Sequence, residues 1–229
     1  MKKIGLIGGT GPESTLMYYR ELNLRADAMT DGREMPEIAV ESVDFRKAWG
    51  YVTDGRYDLL SEYLCSKAML LKQSGAEVIA LTAVTMHAVY DRIVSETGIP
   101  LVSIPEAVCR YAQAQGIRKA GLLGTAFTME MDFMKAPFEK AGIEIAVPDK
   151  AERALVAKRI FEELEVGIVK DSTRAELCGI IERMKSEDGI EAVILGCTEL
   201  PLILGPDNTP VKCIDAVEVH LCRLLELSK

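Results

Sequence analysis

The chain alternates short apolar segments with longer amphipathic ones, and this alternation constrains the fold more than any other feature of the sequence. Strands are predicted over residues 4–7, 38–43, 78–81, 100–103, 119–123, 143–147, 193–195 and 211–214. Helices are predicted over residues 14–27, 57–74, 86–96, 107–115, 129–140, 152–164, 173–186 and 216–227. Strands that alternate with helices pair in parallel, because a helix carries the chain back before the next strand begins. The sequence therefore predicts an α/β fold with mainly parallel sheets flanked by helices.

The alternation restarts near residue 103, which indicates two similar α/β lobes. A chain of 229 residues has room for two lobes of roughly 100 residues each. Residues 75–82 also echo residues 189–197, since each stretch has an acidic lead, an apolar strand and a small or polar residue at the strand's carboxyl end. Ligands of open α/β sheets bind at such ends. We therefore expect these two strand ends to face one another across a cleft.

Composition excludes several classes of partner. The net charge of −8 argues against a nucleic-acid partner, which would require a basic face. No apolar run reaches the roughly 18 residues needed to span a bilayer, and no signal sequence precedes the first glycine-rich loop, so we expect a cytoplasmic protein without a membrane partner. The six cysteines form no CxxC pair and the two histidines are far apart in sequence, so neither a metal site nor a disulfide framework is expected.

The first candidate site segment is the glycine-rich stretch at residues 8–14. It departs from the dinucleotide fingerprint because Ser14 stands where a third glycine belongs, and Glu13 would oppose a pyrophosphate. Two interpretations stay open: a tight turn that caps a helix, or a loop that offers backbone N–H groups to a substrate carboxylate.

Two further segments place hydroxyls after predicted strands. Residues 82–87 combine two threonines with His87, which could act as a general acid or base or could be a structural hydrogen-bonding residue. Thr125 and Thr128 stand at a strand-to-helix turn, where hydroxyls either bind an anion or only cap the helix.

The strongest candidate is Cys197, which follows a predicted strand directly. A cysteine between a strand end and a helix start lies where a thiolate is stabilised, although cysteine is also a common buried residue. The other five cysteines and His220 fall in predicted helices or a strand, and we interpret them as packing residues.

Residues 193–203, Val-Ile-Leu-Gly-Cys-Thr-Glu-Leu-Pro-Leu-Ile, resemble the second signature of the aspartate/glutamate racemase family. Four other stretches resemble the same family in the same order: residues 4–15, 42–45, 123–129 and 160–164. The resemblance spans nearly the whole chain. It implies two α/β lobes related by a pseudo-twofold, the first formed by residues 1–102 and 208–229 and the second by residues 103–207. It also implies an active site in the cleft between the lobes, a homodimer, and catalysis without a cofactor, that is, with neither pyridoxal phosphate nor a metal.

The family uses two cysteines on opposite faces of the substrate Cα, one to remove a proton and the other to donate one. By resemblance Cys197 is the second of these cysteines, and Thr82 stands where the first belongs, with Val84 in place of the family's asparagine. A threonine hydroxyl has a far higher pKa than a thiol, so the two faces are chemically unequal. Because the second cysteine handles the L enantiomer in related racemases, the resemblance implies faster reaction from the L side.

The resemblance also implies a substrate-binding set. The threonines expected to supply oxygen and amide donors are Thr10, Thr85, Thr125, Thr128 and Thr198. Arg46 is a candidate partner for the side-chain carboxylate or a solvated surface residue, and Glu199 is a candidate to accept from the substrate ammonium or to orient Cys197. Lys170 is displaced from the place of the lysine that aspartate racemases use, which leaves aspartate and glutamate both open as the small-molecule partner.

Three alternatives to racemisation remain at this point. Arylmalonate decarboxylases of the same superfamily keep only the second cysteine, as this chain does. Maleate isomerase-like chemistry fits less well, because it requires both cysteines. A protein that binds acidic amino acids without catalysis would also be compatible with the loss of one cysteine.

Overall fold

Eight strands and ten α-helices alternate along the chain in the computed structural model, which describes all 229 residues. The strands are β1 (Ile4–Gly8), β2 (Ile38–Ser42), β3 (Val78–Leu81), β4 (Leu101–Val102), β5 (Lys119–Leu123), β6 (Glu144–Ala146), β7 (Ala192–Leu195) and β8 (Lys212–Asp215). The helices are α1 (Pro12–Met29), α2 (Phe45–Thr53), α3 (Tyr57–Gln73), α4 (Tyr90–Thr97), α5 (Ile104–Ala114), α6 (Ala126–Glu130), α7 (Ala136–Lys140), α8 (Lys150–Glu162), α9 (Asp171–Arg183) and α10 (Ala216–Ser228). None of the helices combines the length and hydropathy that crossing a bilayer requires.

The strands form two four-stranded sheets with the same pattern of strand order, β2-β1-β3-β4 and β6-β5-β7-β8. Every pair in both sheets is parallel. β1 and β3 are buried along their whole length in the first sheet, as is β7 in the second. Burial on both faces explains why these strands read as continuous apolar runs instead of alternating ones. The predicted α/β class with two similar parallel sheets is confirmed.

The chain divides into two compact units, one of residues 1–103 with 220–229 and the other of residues 104–219. The second boundary differs from the predicted one, which returned the chain to the first lobe at residue 208. β8 pairs with β7 in the second sheet, with Lys212 opposite Ala192, and this pairing keeps residues 208–219 in the second unit. The chain re-enters the first unit at His220, inside α10.

Three helical predictions needed correction. α2 was not predicted; its N-cap is Asp44, whose side chain accepts a hydrogen bond from the Lys47 N–H at 3.2 Å. The single helix predicted over residues 129–140 is split into α6 and α7, because Met131 is extended and a new helix, with Pro137 in its first turn, begins at Ala136. The helix predicted over residues 86–96 begins with a 3-10 segment, Val84–Val89, before α4.

A buried carboxylate joins α8 to α9 in the second unit. Glu163 accepts hydrogen bonds from Thr173 Oγ1 at 2.5 Å, Arg159 Nη1 at 2.7 Å and Lys170 Nζ at 3.1 Å. These bonds, led by the one from Thr173, lower the pKa of Glu163. Lys170, left without a matching family position by sequence, is therefore engaged in an ion pair with Glu163.

The loop between β1 and α1 depends on a glycine in the left-handed region of backbone conformation. Gly9 has φ +85°, and a Cβ on it would lie 2.5 Å from the Val43 carbonyl oxygen. Only glycine tolerates both the dihedral angle and the close approach of the chain that follows β2. The loop is thereby fixed against residues 42–43.

Replacing Gly9 by alanine is expected to lower the free energy of unfolding by about 2 kcal/mol or more, because both the backbone and Val43 would have to shift. Gly50→Ala is the matched control, since Gly50 lies in α2 and a Cβ there meets nothing within 4 Å. That variant should be neutral or stabilised by up to about 1 kcal/mol. Urea titration of both variants measures the difference, and equal stabilities would contradict the constraint placed on Gly9.

Candidate active site

In the first unit, the candidate residues follow the carboxyl ends of two neighbouring strands. Thr10 follows β1 and Thr82 follows β3, and both threonines are buried. Because β1 and β3 pair in parallel, their carboxyl ends lie at the same edge of the sheet. The Thr82 N–H donates to the Ile7 carbonyl oxygen at 3.1 Å and so extends the pairing by one residue.

Thr10 carries a polar atom that has no partner within the chain. Its Oγ1 is buried and accepts or donates no hydrogen bond. A buried hydroxyl left unpaired costs about 1–3 kcal/mol, so an unpaired one next to a helix start indicates a place for a ligand oxygen. Gly11 and Pro12 begin α1 immediately after it, and the positive end of the helix dipole favours an anion there.

The segment after Thr82 is fixed by His87. Val84, Thr85 and His87 are all buried in the 3-10 segment. The His87 Nδ1 lies 3.1 Å from the carbonyl oxygens of both Ala83 and Val84, which can only accept, so Nδ1 carries the proton. His87 is thus a structural hydrogen-bonding residue at the base of this segment, as one of the two sequence interpretations had it.

His87 packs against a second buried histidine, His220, at a ring-centroid distance of 6.3 Å. The His220 Nε2 donates to the Val102 carbonyl oxygen at 2.9 Å, which leaves Nδ1 to accept from the Tyr18 hydroxyl at 2.7 Å. Burial lowers the pKa of His87 to about 4. Burial, and then the neighbouring His87, lowers the pKa of His220 to about 3. Both rings are therefore neutral at physiological pH.

Arg46 stands apart from the threonines. It lies in the first turn of α2, after β2, and its side chain is exposed. β2 is the other neighbour of β1 in the sheet, so α2 starts near the same sheet edge. Arg46 forms no hydrogen bond or ion pair with Thr10, Thr82 or Thr85.

In the second unit, Cys197 lies two residues beyond the end of β7 and has a carboxylate as its direct partner. The Cys197 Sγ donates to Glu199 Oε2 at 2.7 Å, and the Thr198 Oγ1 donates to Glu199 Oε1 at 2.6 Å. Glu199 thus holds a hydroxyl and a thiol, one on each carboxylate oxygen. This contact favours a role for Glu199 in orienting Cys197 over a role in accepting from the substrate ammonium alone.

The expected stabilisation of a Cys197 thiolate does not appear in the structure. Burial, followed by the negative charge and the hydrogen bond of Glu199, raises the pKa of the Cys197 thiol well above its ordinary value. The segment that follows is only a three-residue 3-10 turn, Leu200–Leu202, whose short length provides little helix dipole. Cys197 is therefore a neutral thiol in the ligand-free chain.

Thr125 and Thr128 lie together at the end of β5, the strand beside β7. Their hydroxyl oxygens are 3.1 Å apart, and Thr125 Oγ1 accepts from the Thr128 N–H at 3.3 Å as the N-cap of α6. Thr125 therefore caps α6, and this capping does not exclude anion binding by the pair. Only one hydroxyl of the pair donates to the other, so one hydroxyl proton is left for a further acceptor.

Two features of the site were missed by sequence reasoning. Glu165 interacts electrostatically with both Glu199 and Cys197; burial and the charge of Glu199 raise its pKa. Its only sequence signal was its position just beyond the Ile-Phe-Glu-Glu-Leu stretch. In the first unit, the Ser14 Oγ donates to the Thr82 carbonyl oxygen and Thr15 lies beside the Thr82 side chain.

Other parts of the chain offer weaker candidates for a functional site. No group of three His, Cys, Asp or Glu side chains is arranged to hold a metal ion. A surface pocket of about 500 Å³ in the second unit is lined by Cys178, Glu182 and residues 207–210, none of which is a candidate site residue. The polar groups that could carry chemistry are those at the strand ends.

The two parallel sheets define a two-lobed α/β protein with polar side chains at the carboxyl ends of its strands. A sequence model of the Asp/Glu/hydantoin racemase family matches residues 7–224. The chain belongs to this family, and the resemblance drawn from its signatures is confirmed.

Solved structures agree with this membership. A proposed Asp/Glu racemase from Yersinia pestis is 36% identical, with a TM-score of 0.94 over 100% of this chain and 99% of that one. An aspartate racemase homologue from Pyrococcus horikoshii is 38% identical, with a TM-score of 0.89 over the same shares, 100% and 99%. A variant of arylmalonate decarboxylase is 16% identical and has a TM-score of 0.60 over 99% of this chain and 93% of that one, which shows a shared fold.

Removing the charge of Glu199 is expected to make Cys197 more reactive toward alkylation. Since the Glu199 carboxylate opposes thiolate formation, Glu199→Gln should lower the thiol pKa and move the alkylation profile to lower pH. Burial remains, so the profile should stay above that of a free cysteine. Iodoacetamide labelling across pH 7–10, read at Cys197 by mass spectrometry, measures the shift. Cys213, labelled in the same samples, is the internal control, and an unmoved Cys197 profile would contradict the role of Glu199.

The two buried histidines are expected to make the fold acid-sensitive. Their pKa values are about 4 and about 3 in the folded chain, against about 6.5 when unfolded. Between these values the unfolded chain binds more protons, so stability falls as pH drops below about 6.5. At pH 5 each histidine should lower the free energy of unfolding by about 2 kcal/mol relative to pH 8.

The variant His87→Gln isolates one of these contributions. It should lose less stability between pH 8 and pH 5 than the unmodified chain does, by about 2 kcal/mol. Denaturant titrations at both pH values measure the two losses. Identical pH dependence in the two proteins would show that His87 is not held neutral by burial.

Proposed function

We propose that the protein racemises an acidic amino acid, aspartate or glutamate or both, without a cofactor. Cys197 removes the Cα proton of the L enantiomer, and Thr82 serves the opposite face. The observation that carries the proposal is the buried Cys197 thiol hydrogen-bonded at 2.7 Å to the Glu199 carboxylate. In a chain of the Asp/Glu/hydantoin racemase family, this is a base and its proton acceptor already in contact.

Proton transfer within this pair converts the neutral thiol into the base. When the Sγ proton moves to Glu199 Oε2, the negative charge moves to sulfur and the total charge of the pair does not change. A step that conserves charge avoids the desolvation penalty of placing a second charge in a buried site. The thiolate then takes the Cα proton, and the electron pair of the Cα–H bond passes into the substrate.

The threonines are suited to hold the substrate carboxylates as this charge builds up. Thr10 has a buried hydroxyl with no partner, and the pair Thr125–Thr128 has one hydroxyl proton to spare. Thr85 adds a further hydroxyl to the proposed set, whereas Thr198 gives its hydroxyl proton to Glu199 and is proposed to donate through its backbone N–H. Val84 is the proposed apolar member of the set, and it is buried. Donors aimed at developing negative charge in a dry site give the largest electrostatic stabilisation.

Arg46 is the proposed partner of the side-chain carboxylate. Its guanidinium is exposed, so it can close on an anionic substrate without breaking an existing ion pair. The flexible reach of an exposed arginine also fits substrates of two lengths, which is consistent with leaving both aspartate and glutamate as candidates.

Amino-acid exchange in deuterated water tests the proposal. The protein is incubated with the L and D forms of aspartate and glutamate, and deuterium at Cα and chirality are followed by NMR and chiral chromatography. We expect exchange and inversion, both faster from the L form. Cys197→Ser should lose nearly all of this activity, by about 10³-fold or more, whereas Cys222→Ser, at an exposed cysteine, is the matched control. Absence of exchange with all four substrates would refute racemisation.

The substitution Thr82→Cys tests the second face. A thiol is a better base than a hydroxyl, so this variant should raise turnover from the D form relative to the L form by about tenfold or more. Initial rates from each enantiomer give the ratio. The overall equilibrium cannot change, because a catalyst does not move it. An unchanged ratio would show that position 82 does not serve the D side.

Decarboxylation of a substituted malonate is the second candidate. It is favoured by the single cysteine at a strand end together with the fold shared with arylmalonate decarboxylase. Loss of carbon dioxide from phenylmalonate, without exchange of any acidic amino acid, would support it. Binding of an acidic amino acid with neither reaction would instead support a non-catalytic binding protein.

We also propose a homodimer, the assembly that the family resemblance implies, and a cytoplasmic location, which is the expectation from the sequence. Analytical ultracentrifugation of the purified chain should then give twice the 25.1 kDa monomer mass. A monomer at concentrations where the enzyme is active would contradict the dimer.

A further inference from the structure

The hydroxyl of Thr82 has a side-chain neighbour in the first turn of α1. Thr15 Oγ1 lies 3.4 Å from Thr82 Oγ1. Thr15 is half-buried, and it belongs to neither the proposed base pair nor the substrate-binding set. Its packing is close, because a Cβ on Gly8 would lie 2.4 Å from Thr15 Cγ2. The glycine at the end of β1 therefore leaves the space in which the Thr15 side chain sits.

The surrounding hydrogen bonds restrict how these two hydroxyls can share their protons. Thr15 Oγ1 accepts from the Gly9 N–H at 2.9 Å and donates to the Gly11 carbonyl oxygen at 3.3 Å. Thr82 Oγ1 donates to the Ile7 carbonyl oxygen at 3.4 Å. Because the bond to Gly11 is long, and a charged oxygen is a stronger acceptor than a carbonyl, the Thr15 proton can turn to Thr82 when negative charge builds up on Thr82 Oγ1.

The backbone of Thr82 is held from the same helix turn. The Ser14 Oγ donates to the Thr82 carbonyl oxygen, and Ser14 is buried. Two consecutive residues of α1 thus contact Thr82: Ser14 at its backbone and Thr15 at its hydroxyl. α1 has 18 residues, so its first turn carries a full helix-dipole field that favours negative charge.

We propose that Thr15 is a positioning residue for Thr82: it donates a hydrogen bond to Thr82 Oγ1 and stabilises the charge left there when Thr82 gives up its proton. The inference rests on the proposed racemisation. In that step the Thr82 O–H bond breaks and the Cα–H bond forms with the electron pair of the carbanion. The negative charge passes to Thr82 Oγ1, where the Thr15 hydroxyl and the α1 N-terminus meet it, until a solvent proton restores the hydroxyl.

Two rates distinguish a positioning role of Thr15 from a merely structural one: Cα exchange from the L form and inversion. A merely structural role would change both rates together. Exchange at Cα starting from the L form depends on Cys197, whereas inversion also requires proton delivery by Thr82. Thr15→Val keeps the side-chain shape and removes the donor, so inversion should fall by about ten- to a hundredfold. Exchange from the L form should stay within about threefold of the unmodified protein. Thr15→Ser restores the donor and should restore most of the inversion.

Thr97→Val is the matched control for loss of a hydrogen-bonded threonine hydroxyl in the same unit. Thr97 Oγ1 donates to the Ile93 carbonyl oxygen at 2.7 Å and accepts from the Ile99 N–H at 3.4 Å, but it has no contact with Thr82. This variant should leave the ratio of inversion to exchange unchanged. Thermal unfolding of all the variants records any general loss of stability.

Deuterium incorporation and chirality, measured in the same samples from L-glutamate and L-aspartate, decide between the outcomes. A selective fall of inversion in Thr15→Val, reversed in Thr15→Ser, supports the inference. Equal falls of exchange and inversion, or no change in either, overturn it while leaving the racemase proposal standing. An unmodified protein that exchanges none of the acidic amino acids overturns both, and that result is visible before any variant is compared.

Discussion

Parallel pairing of the buried strands determines where polar chemistry can occur in each unit. The central strands pair on both sides, so their backbone groups are taken up by neighbouring strands, and the residues of β1, β3 and β7 are all buried. In both units the last bond of this pairing comes from the residue just beyond the central strand. The Thr82 N–H donates to the Ile7 carbonyl oxygen at 3.1 Å, and the Gly196 N–H donates to the Leu123 carbonyl oxygen at 2.7 Å. The two proposed catalytic residues therefore stand at or one residue past the end of an otherwise closed backbone network.

The side chains at these equivalent positions have different hydrogen-bond partners in the two units. At Cys197 the partner is a carboxylate, which can take a proton outright. At Thr82 the partners are another hydroxyl and a backbone carbonyl oxygen, which can orient a proton but cannot accept one as a base at neutral pH. The difference in reactivity between the two faces thus extends beyond the replaced cysteine to the residues that surround it. Restoring a thiol at position 82 would leave it without a counterpart of Glu199.

Sequence reasoning found the strands and the site segments because both depend on local signals. Continuous apolar runs that end in glycine, threonine or cysteine mark buried parallel strands and the polar loops beyond them. The return of the chain at His220 could not be found in this way, because it depends on β8 pairing with β7 across the second sheet. The protonation state of Cys197 could not be predicted from the sequence either. A strand-end cysteine predicts a stabilised thiolate only if the next residues form a helix and no carboxylate lies nearby, and Glu199 reverses that balance.

A neutral thiol at rest is compatible with the proposed mechanism once the charge of the substrate is included. Burial, the charge of Glu199 and, to a smaller extent, the charge of Glu165 all oppose a thiolate at Cys197. The ammonium group of an amino acid held beside the Cys197–Glu199 pair would stabilise the negative charge that passes to the sulfur when the Sγ proton moves to Glu199. The base is then generated where and when the substrate is bound, and a buried thiol that stays protonated otherwise is poorly reactive toward oxidants. The carboxylate that opposes the thiolate before a substrate binds therefore also favours a substrate that carries a cation next to its acidic Cα–H.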